Sequence, residues 1–205
     1  MKIIAVQHTQ AEHHLNGMLG GSSDWPLTDL GHSHAKSIAE ALMKELGEKP
    51  DYALYASDMI RTTQTAQAIS KALQLAIIPV PDIREIKVGS ATGKSRAWMK
   101  EHQTPCAPGE LFLDYRPLPD AETWREMRRR VAAFAERLEA DGKNAIVVGH
   151  GGSLAAFTQV FMHLPEDAGE GVWYSGNAGG VHRFEATREP GRVIHVMKKF
   201  NEILF

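Results

Sequence analysis

The sequence predicts a three-layer α/β/α domain on a mostly parallel central sheet. Two observations carry that expectation. First, strand-like apolar runs alternate with amphipathic helical stretches through most of the chain, as in sheets covered on both faces. Second, two of the runs, Lys2–Gln7 and Asn144–Gly149, are β-branched and nearly uncharged, and each delivers a histidine at its C-terminal end, His8 and His150. Ligands of open α/β sheets bind beyond the carboxyl ends of the strands, where two such imidazoles face one pocket.

The elements follow in order. After the first strand, His8 to Pro26 is a loop rich in Gly, Ser and His, long enough to imply a role of its own. Thr28 is placed to cap a helix carrying Ile38, Ala41, Leu42 and Leu46, ended by Gly47 and Pro50. Asp51–Ala56 reads as a second strand. Ser57 or Asp58 then caps a helix with Arg61, Thr65, Ala68, Ile69 and Leu73 on it. A short strand, Ala76–Val80, precedes Ile83-Arg84-Glu85-Ile86. Between Lys94 and Pro119 four prolines interrupt any period, so this stretch is read as an insertion or lid over the site. Ala121–Leu138 is an amphipathic helix, and Gly151–Met162 a helix directly behind His150. In the tail, Val172–Tyr174, Gly180–Phe184 and Val193–Met197 alternate like strands near a sheet edge.

Length and composition narrow the function. At 205 residues the chain is expected to form one domain, 1–205, with an ordinary hydrophobic share of 43%. A net charge of -2 argues against a nucleic-acid partner. The one cationic run, Arg128-Arg129-Arg130, lies in a helix where successive side chains diverge, so it reads as a solvated face. One cysteine excludes an internal disulfide and suggests no zinc spacing. Nothing resembles a signal peptide or membrane span, and the expected setting is cytoplasmic, with a homodimer compatible.

Four segments together resemble the histidine phosphatase superfamily, the group of phosphoglycerate mutases and related phosphatases. They are Gly17–Gly31 with its Pro-Leu-Thr helix start, Tyr55-Ala-Ser-Asp-Met-Ile-Arg-Thr-Thr-Gln-Thr-Ala66, Arg84-Glu85 followed by Gly89, and Val147-Val-Gly-His-Gly-Gly152. The resemblance implies His8 as a nucleophile accepting a phosphoryl group. It implies Arg61 as a phosphate clamp, and His150 as a phosphoryl hydrogen-bond partner whose charge stabilises the transition state. Glu85 would protonate the leaving oxygen, with no metal or cofactor required. Gln7, Thr9, His14, Gly151 and Glu122 are assigned to substrate binding, the Glu122 carboxylate reaching Arg61 or a loop amide.

Three departures cluster near that pocket. The family's Arg-His-Gly reads Gln7-His8-Thr9, its usual Asn six residues after the nucleophile is His14, and its frequent Trp-Glu-Gly is Ala91-Thr92-Gly93. The leading expectation is hydrolysis of a small phosphate monoester through a phosphohistidine at His8. Activity is expected to be weakened by the lost guanidinium, unless His13, His14 or a residue of Lys94–Pro119 replaces it. The rival is a catalytically impaired protein that binds an anionic or small ligand or acts on a different substrate. A phosphoglycerate mutase ranks below both, because no long insertion separates Gly93 from Glu122. The histidines His8, His13, His14 and His150 show no spacing diagnostic of a metal.

Overall fold

Strand β1 (Lys2–Gln7) alternates two sets of apolar side chains that both end up buried. Ile3 and Ala5 point to one face of the sheet, Ile4 and Val6 to the other, as a two-residue repeat demands when both faces are covered. The same holds for β4 (Ala145–Gly149), buried throughout. In the structure, a computed structural model that describes residues 1–205, these two strands lie side by side at the middle of the sheet. With β2 (Ala53–Ala56), β3 (Ile77–Pro79), β5 (Val181–Glu189) and β6 (Arg192–Glu202) they form one sheet in the order β3-β2-β4-β1-β5-β6. The β3-β2-β4-β1 part is parallel, and β5 and β6 add an antiparallel edge.

Helices α1 (Asp29–Leu46) and α2 (Ile60–Leu73) cover one face, where Ile38, Leu42 and Ile69 pack on Ile4, Leu54 and Ile146. On the other, α4 (Trp124–Asp141) and α5 (Gly151–Phe161) bring Val131, Phe134 and Phe157 onto Ile3, Val147 and Phe184. Thr28 caps α1 by accepting from the Gly31 amide at 3.0 Å, and Gly47 ends it with φ of 76°.

Elsewhere the elements depart from expectation for local reasons. α4 starts at Trp124, not Ala121, because Thr123 and Glu126 form a reciprocal capping box there. Neither Ser57 nor Asp58 caps α2. The Asp24 carboxylate, 36 residues away, accepts from the Ile60 amide at 2.7 Å. Within 94–119 a seven-residue helix, α3 (Arg96–His102), forms behind the Ser95 cap, too short to show a period among the prolines. Val172–Tyr174 is not a strand, and its Val172 carbonyl accepts from Gln159 at 2.9 Å. β5 and β6 instead form one long hairpin turning at Gly191. Lys198, Lys199 and Glu202 on β6 blurred the alternation while guarding an open edge.

Candidate active site

Register places the two histidines. β1 and β4 pair in parallel with Gln7 opposite Gly149, so His8 and His150 are the next residues on neighbouring strands. The His8 amide donates to the Gly149 carbonyl at 2.9 Å, and the two rings lie 5.2 Å apart, inclined by 65°. His8 Nδ1 sits 2.8 Å from the Thr9 carbonyl oxygen. A carbonyl only accepts, so Nδ1 carries the proton and Nε2 keeps its lone pair.

The same argument fixes His150. Its Nδ1 accepts from Arg61 Nε at 3.1 Å, so its proton sits on Nε2, 2.9 Å from the Ser57 hydroxyl oxygen. Burial first, and the Arg61 charge second, hold both histidines well below their ordinary pKa of 6.5. The imidazolium that the resemblance assigns to His150 is therefore not what the site holds near neutral pH. The fixed positive charge belongs to Arg61.

Arg61, in the first turn of α2, is 1% exposed. Its terminal nitrogens donate to the carbonyls of Ser23 at 2.7 Å and Gly21 at 2.8 Å, pinning the loop after β1 over the pocket. A guanidinium has five N–H groups, so one remains on each terminal nitrogen for an anion. Opposite, the Glu85 carboxylate accepts from the Gly152 amide in the first turn of α5 at 2.9 Å and from the Ile86 amide at 3.0 Å. A Cβ at position 152 would lie 2.4 Å from Glu85 Oε1 and 2.9 Å from the Trp124 ring, so only glycine lets the three meet. Gly151, at the start of α5, faces Gln7: a Cβ there would lie 3.4 Å from its Nε2.

The chain as a whole has known relatives. Residues 3–197 match the histidine phosphatase superfamily (branch 1). The chain belongs to that superfamily. A metal-independent phosphoserine phosphatase of Arabidopsis thaliana is 29% identical over 189 residues, 88% of this chain and 76% of that protein. An Enterobacter protein named "Probable phosphoglycerate mutase GpmB" is 29% identical over 175 residues, 80% of this chain and 76% of its own. The fold matches a mycobacterial glucosyl-3-phosphoglycerate phosphatase solved with vanadate, with a TM-score of 0.80 at 19% identity over 98% of each chain.

Within a histidine phosphatase frame, the remaining positions are informative. Gln7, where the family has arginine, is buried, and its Oε1 has no hydrogen-bond partner. His13 and His14 flank His8, with ring centres 5.8 and 5.6 Å from it. In the free pocket neither carries the missing positive charge. Burial and neighbouring positive charge push His13 down to about 3 and lower His14 as well, so both are neutral where the expectation needed a proton. Arg96, on α3, acts on both as a nearby positive charge and is the cation that 94–119 contributes. Nitrogens of His8, His13 and His14 lie within 4.8 Å of one another, and an ion held there would occupy the lone pair His8 needs for attack.

Two assigned substrate contacts act differently. The Thr9 side chain is fully buried and donates to the Gly31 carbonyl at 2.8 Å, so its hydroxyl proton is spent on tying the end of β1 to α1. Glu122 meets not Arg61 but Arg130, at 2.8 Å through both oxygens, and the Lys87 amide at 3.1 Å. Arg130 in turn donates to the carbonyls of Asp82, Arg84 and Glu85, which fixes the loop that carries Glu85. The sequence reading missed Arg130 by treating its run as a solvated face. Divergence along the helix was the available signal: Arg128 reaches Leu164, Arg129 reaches Glu166, and Arg130 turns inward.

Proposed function

We propose that the chain hydrolyses small phosphate monoesters through a phosphohistidine at His8. The observation that carries this is the tautomer lock: the Thr9 carbonyl fixes the His8 proton on Nδ1, which leaves Nε2 as a neutral nucleophile beside His150 and Arg61. In the first step Nε2 forms a bond to phosphorus while the ester P–O bond breaks. Arg61 balances charge gathering on the phosphoryl oxygens, and Glu85 gives its proton to the departing oxygen. In the second, the Glu85 carboxylate takes a proton from water as the water oxygen bonds to phosphorus and the N–P bond breaks. Phosphate leaves and His8 is restored.

The leaving group would lie along Trp124, which abuts Glu85 and is met edge-on by Trp173 at 4.5 Å between centres. This wall favours an apolar or planar alcohol over a second charged group. The 94–119 segment, tied to the loop after β1 by Arg96 N–H to the Gly17 carbonyl and Leu19 N–H to the Lys94 carbonyl, would act as its cover. No helix is long and apolar enough to cross a membrane, and we read the protein as a cytoplasmic enzyme of phosphorylated metabolites, without a nucleic-acid partner.

One observation favours a second reading, binding without turnover: Arg61 is the one buried guanidinium in the pocket, and the surrounding histidines are neutral. Phosphate release from an aryl phosphate, compared between wild type and His8→Asn, decides between them. Release that depends on His8 supports hydrolysis. Stabilisation by vanadate with no release in the wild type overturns it.

A further inference from the structure

The end of the molecule opposite the phosphoryl pocket gathers two histidines and a glutamate that phosphoryl transfer does not use. Helix α5 begins at Gly151, beside the pocket, and its eleven residues carry the chain about 16 Å away at 1.5 Å per residue. His163 follows its last turn. There it meets Glu139, near the C-terminus of α4, and His195, on β6. His163 Nε2 lies 3.3 Å from His195 Nε2. Glu139 Oε1 lies 3.4 Å from the His195 nitrogen and 3.8 Å from the His163 nitrogen.

We propose that Glu139, His163 and His195 form a binding site for a divalent ion of the Zn²⁺ class, with a fourth coordination position open to water. Ligand atoms about 2.0–2.1 Å from a tetrahedral zinc are about 3.3–3.4 Å from one another. The two spacings to His195, 3.3 and 3.4 Å, match that edge length, and the third, 3.8 Å between His163 and Glu139, exceeds it by about 0.4 Å, which a small turn of the His163 ring would close. They are also longer than the roughly 2.7–3.2 Å of ordinary hydrogen bonds, so these atoms are spaced as ligands around a centre more than as donors and acceptors. Two imidazoles and a carboxylate suit zinc and its cobalt and nickel neighbours.

The surroundings support this assignment. His163 holds the left-handed backbone, φ 51°, that commonly ends a helix just past its cap, and its ring lies against the cluster there. The His195 ring is braced edge-on against Phe161 at 4.9 Å between centres. The rings of His163 and His195 stand 4.3 Å apart, and the His163 side chain, 61% exposed, has room to turn its lone pair toward the shared centre. A cavity of about 400 Å³ lined by Met1, Glu139, Gly142, Arg188, Val193 and His195 gives the fourth ligand access. A bound ion would pin the end of α4, the turn after α5 and the edge strand together, so its effect would be on stability and not on phosphoryl transfer.

Cobalt(II) titration of chelator-treated protein tests the proposal through the visible bands of tetrahedral Co²⁺, followed by displacement with Zn²⁺. Wild type should bind one ion with those bands and melt at a higher temperature with Zn²⁺. His14→Asn, which alters the separate histidine group at the phosphoryl pocket, should do the same. Glu139→Gln and His195→Ala should each lose more affinity than the roughly 10–100-fold that removing an outer partner costs. His163→Asn should match them, and asparagine tolerates the left-handed backbone there, so this variant keeps the fold. Unchanged affinity in all three, bands that vanish with His14→Asn, or no binding by wild type would each overturn the assignment.

Discussion

Restoring a guanidinium at Gln7 should strengthen the pocket's hold on a phosphoryl group at the expense of the protein's own stability. Gln7 is 8% exposed, stands beside Gly151 and Gly176, and has an amide oxygen without a partner. In Gln7→Arg a charge-assisted bond, about 1.5–3 kcal/mol, replaces a neutral one of about 0.5–1.5 kcal/mol, a difference of about 1.25 kcal/mol at mid-range. That corresponds to about tenfold tighter vanadate binding. A second guanidinium in the same pocket as Arg61 adds repulsion, on the order of 3 kcal/mol for unit charges about 6 Å apart at an effective dielectric of 20, which a bound dianion relieves. The variant should therefore melt below wild type alone and recover more than wild type when vanadate is added. Vanadate inhibition constants and melting curves with and without vanadate read both effects. Unchanged vanadate affinity in a folded variant would refute the reasoning. Arg96 is then the cation already serving that role, and Arg96→Ala should weaken vanadate binding in wild type.

Glu85→Gln keeps an acceptor for the Gly152 amide but has no proton to give. It should lower kcat/KM, which reads the phosphorylation step, by about 10²–10⁴-fold on alkyl phosphates and far less on nitrophenyl phosphate, whose leaving group departs unaided; equal losses in kcat/KM on both would contradict the acid role. Acidification should destabilise the fold. The unfolded chain takes up protons at the ordinary histidine value of 6.5, whereas burial holds His182 down to about 4 and His13 to about 3, with His8 and His150 also well below 6.5. Stability is thus fully present above pH 6.5 and is lost as pH falls from there toward each folded value. His182 alone accounts for up to about 3 kcal/mol by pH 4. Denaturant midpoints at neutral and mildly acidic pH check this, and a flat profile would contradict it.

The parts of the site that lie in short runs were legible in the sequence. His8 and His150 stand at strand ends whose β-branched runs require burial on both faces, and pairing adjacent parallel strands leaves them little choice but to meet. Arg61 and Glu85 could be read from their segments, though not that Arg61 would spend three of its N–H groups on His150, Gly21 and Ser23. Protonation was the least legible property. The histidine pair at 13 and 14 reads as available charge, and burial beside Arg61 and Arg96 in the fold disfavours protonating either ring. Long-range partners were equally hidden: Asp24 capping α2 and Arg130 holding the Glu85 loop join residues 36 and 45 apart, which no local pattern records.

The central claim is that His8 Nε2 takes the phosphoryl group. Rapid mixing with a phosphate monoester, quenching, and intact-mass measurement test it most directly. Wild type should gain the mass of one phosphoryl group within the first turnover, mapped to His8 and labile in acid, and with nitrophenyl phosphate, whose first step needs no acid, Glu85→Gln should accumulate more of it because the water step is slowed. His8→Asn should gain none. Phosphate release from wild type with no phosphorylated histidine at any time point, or release that persists in folded His8→Asn, would contradict the account.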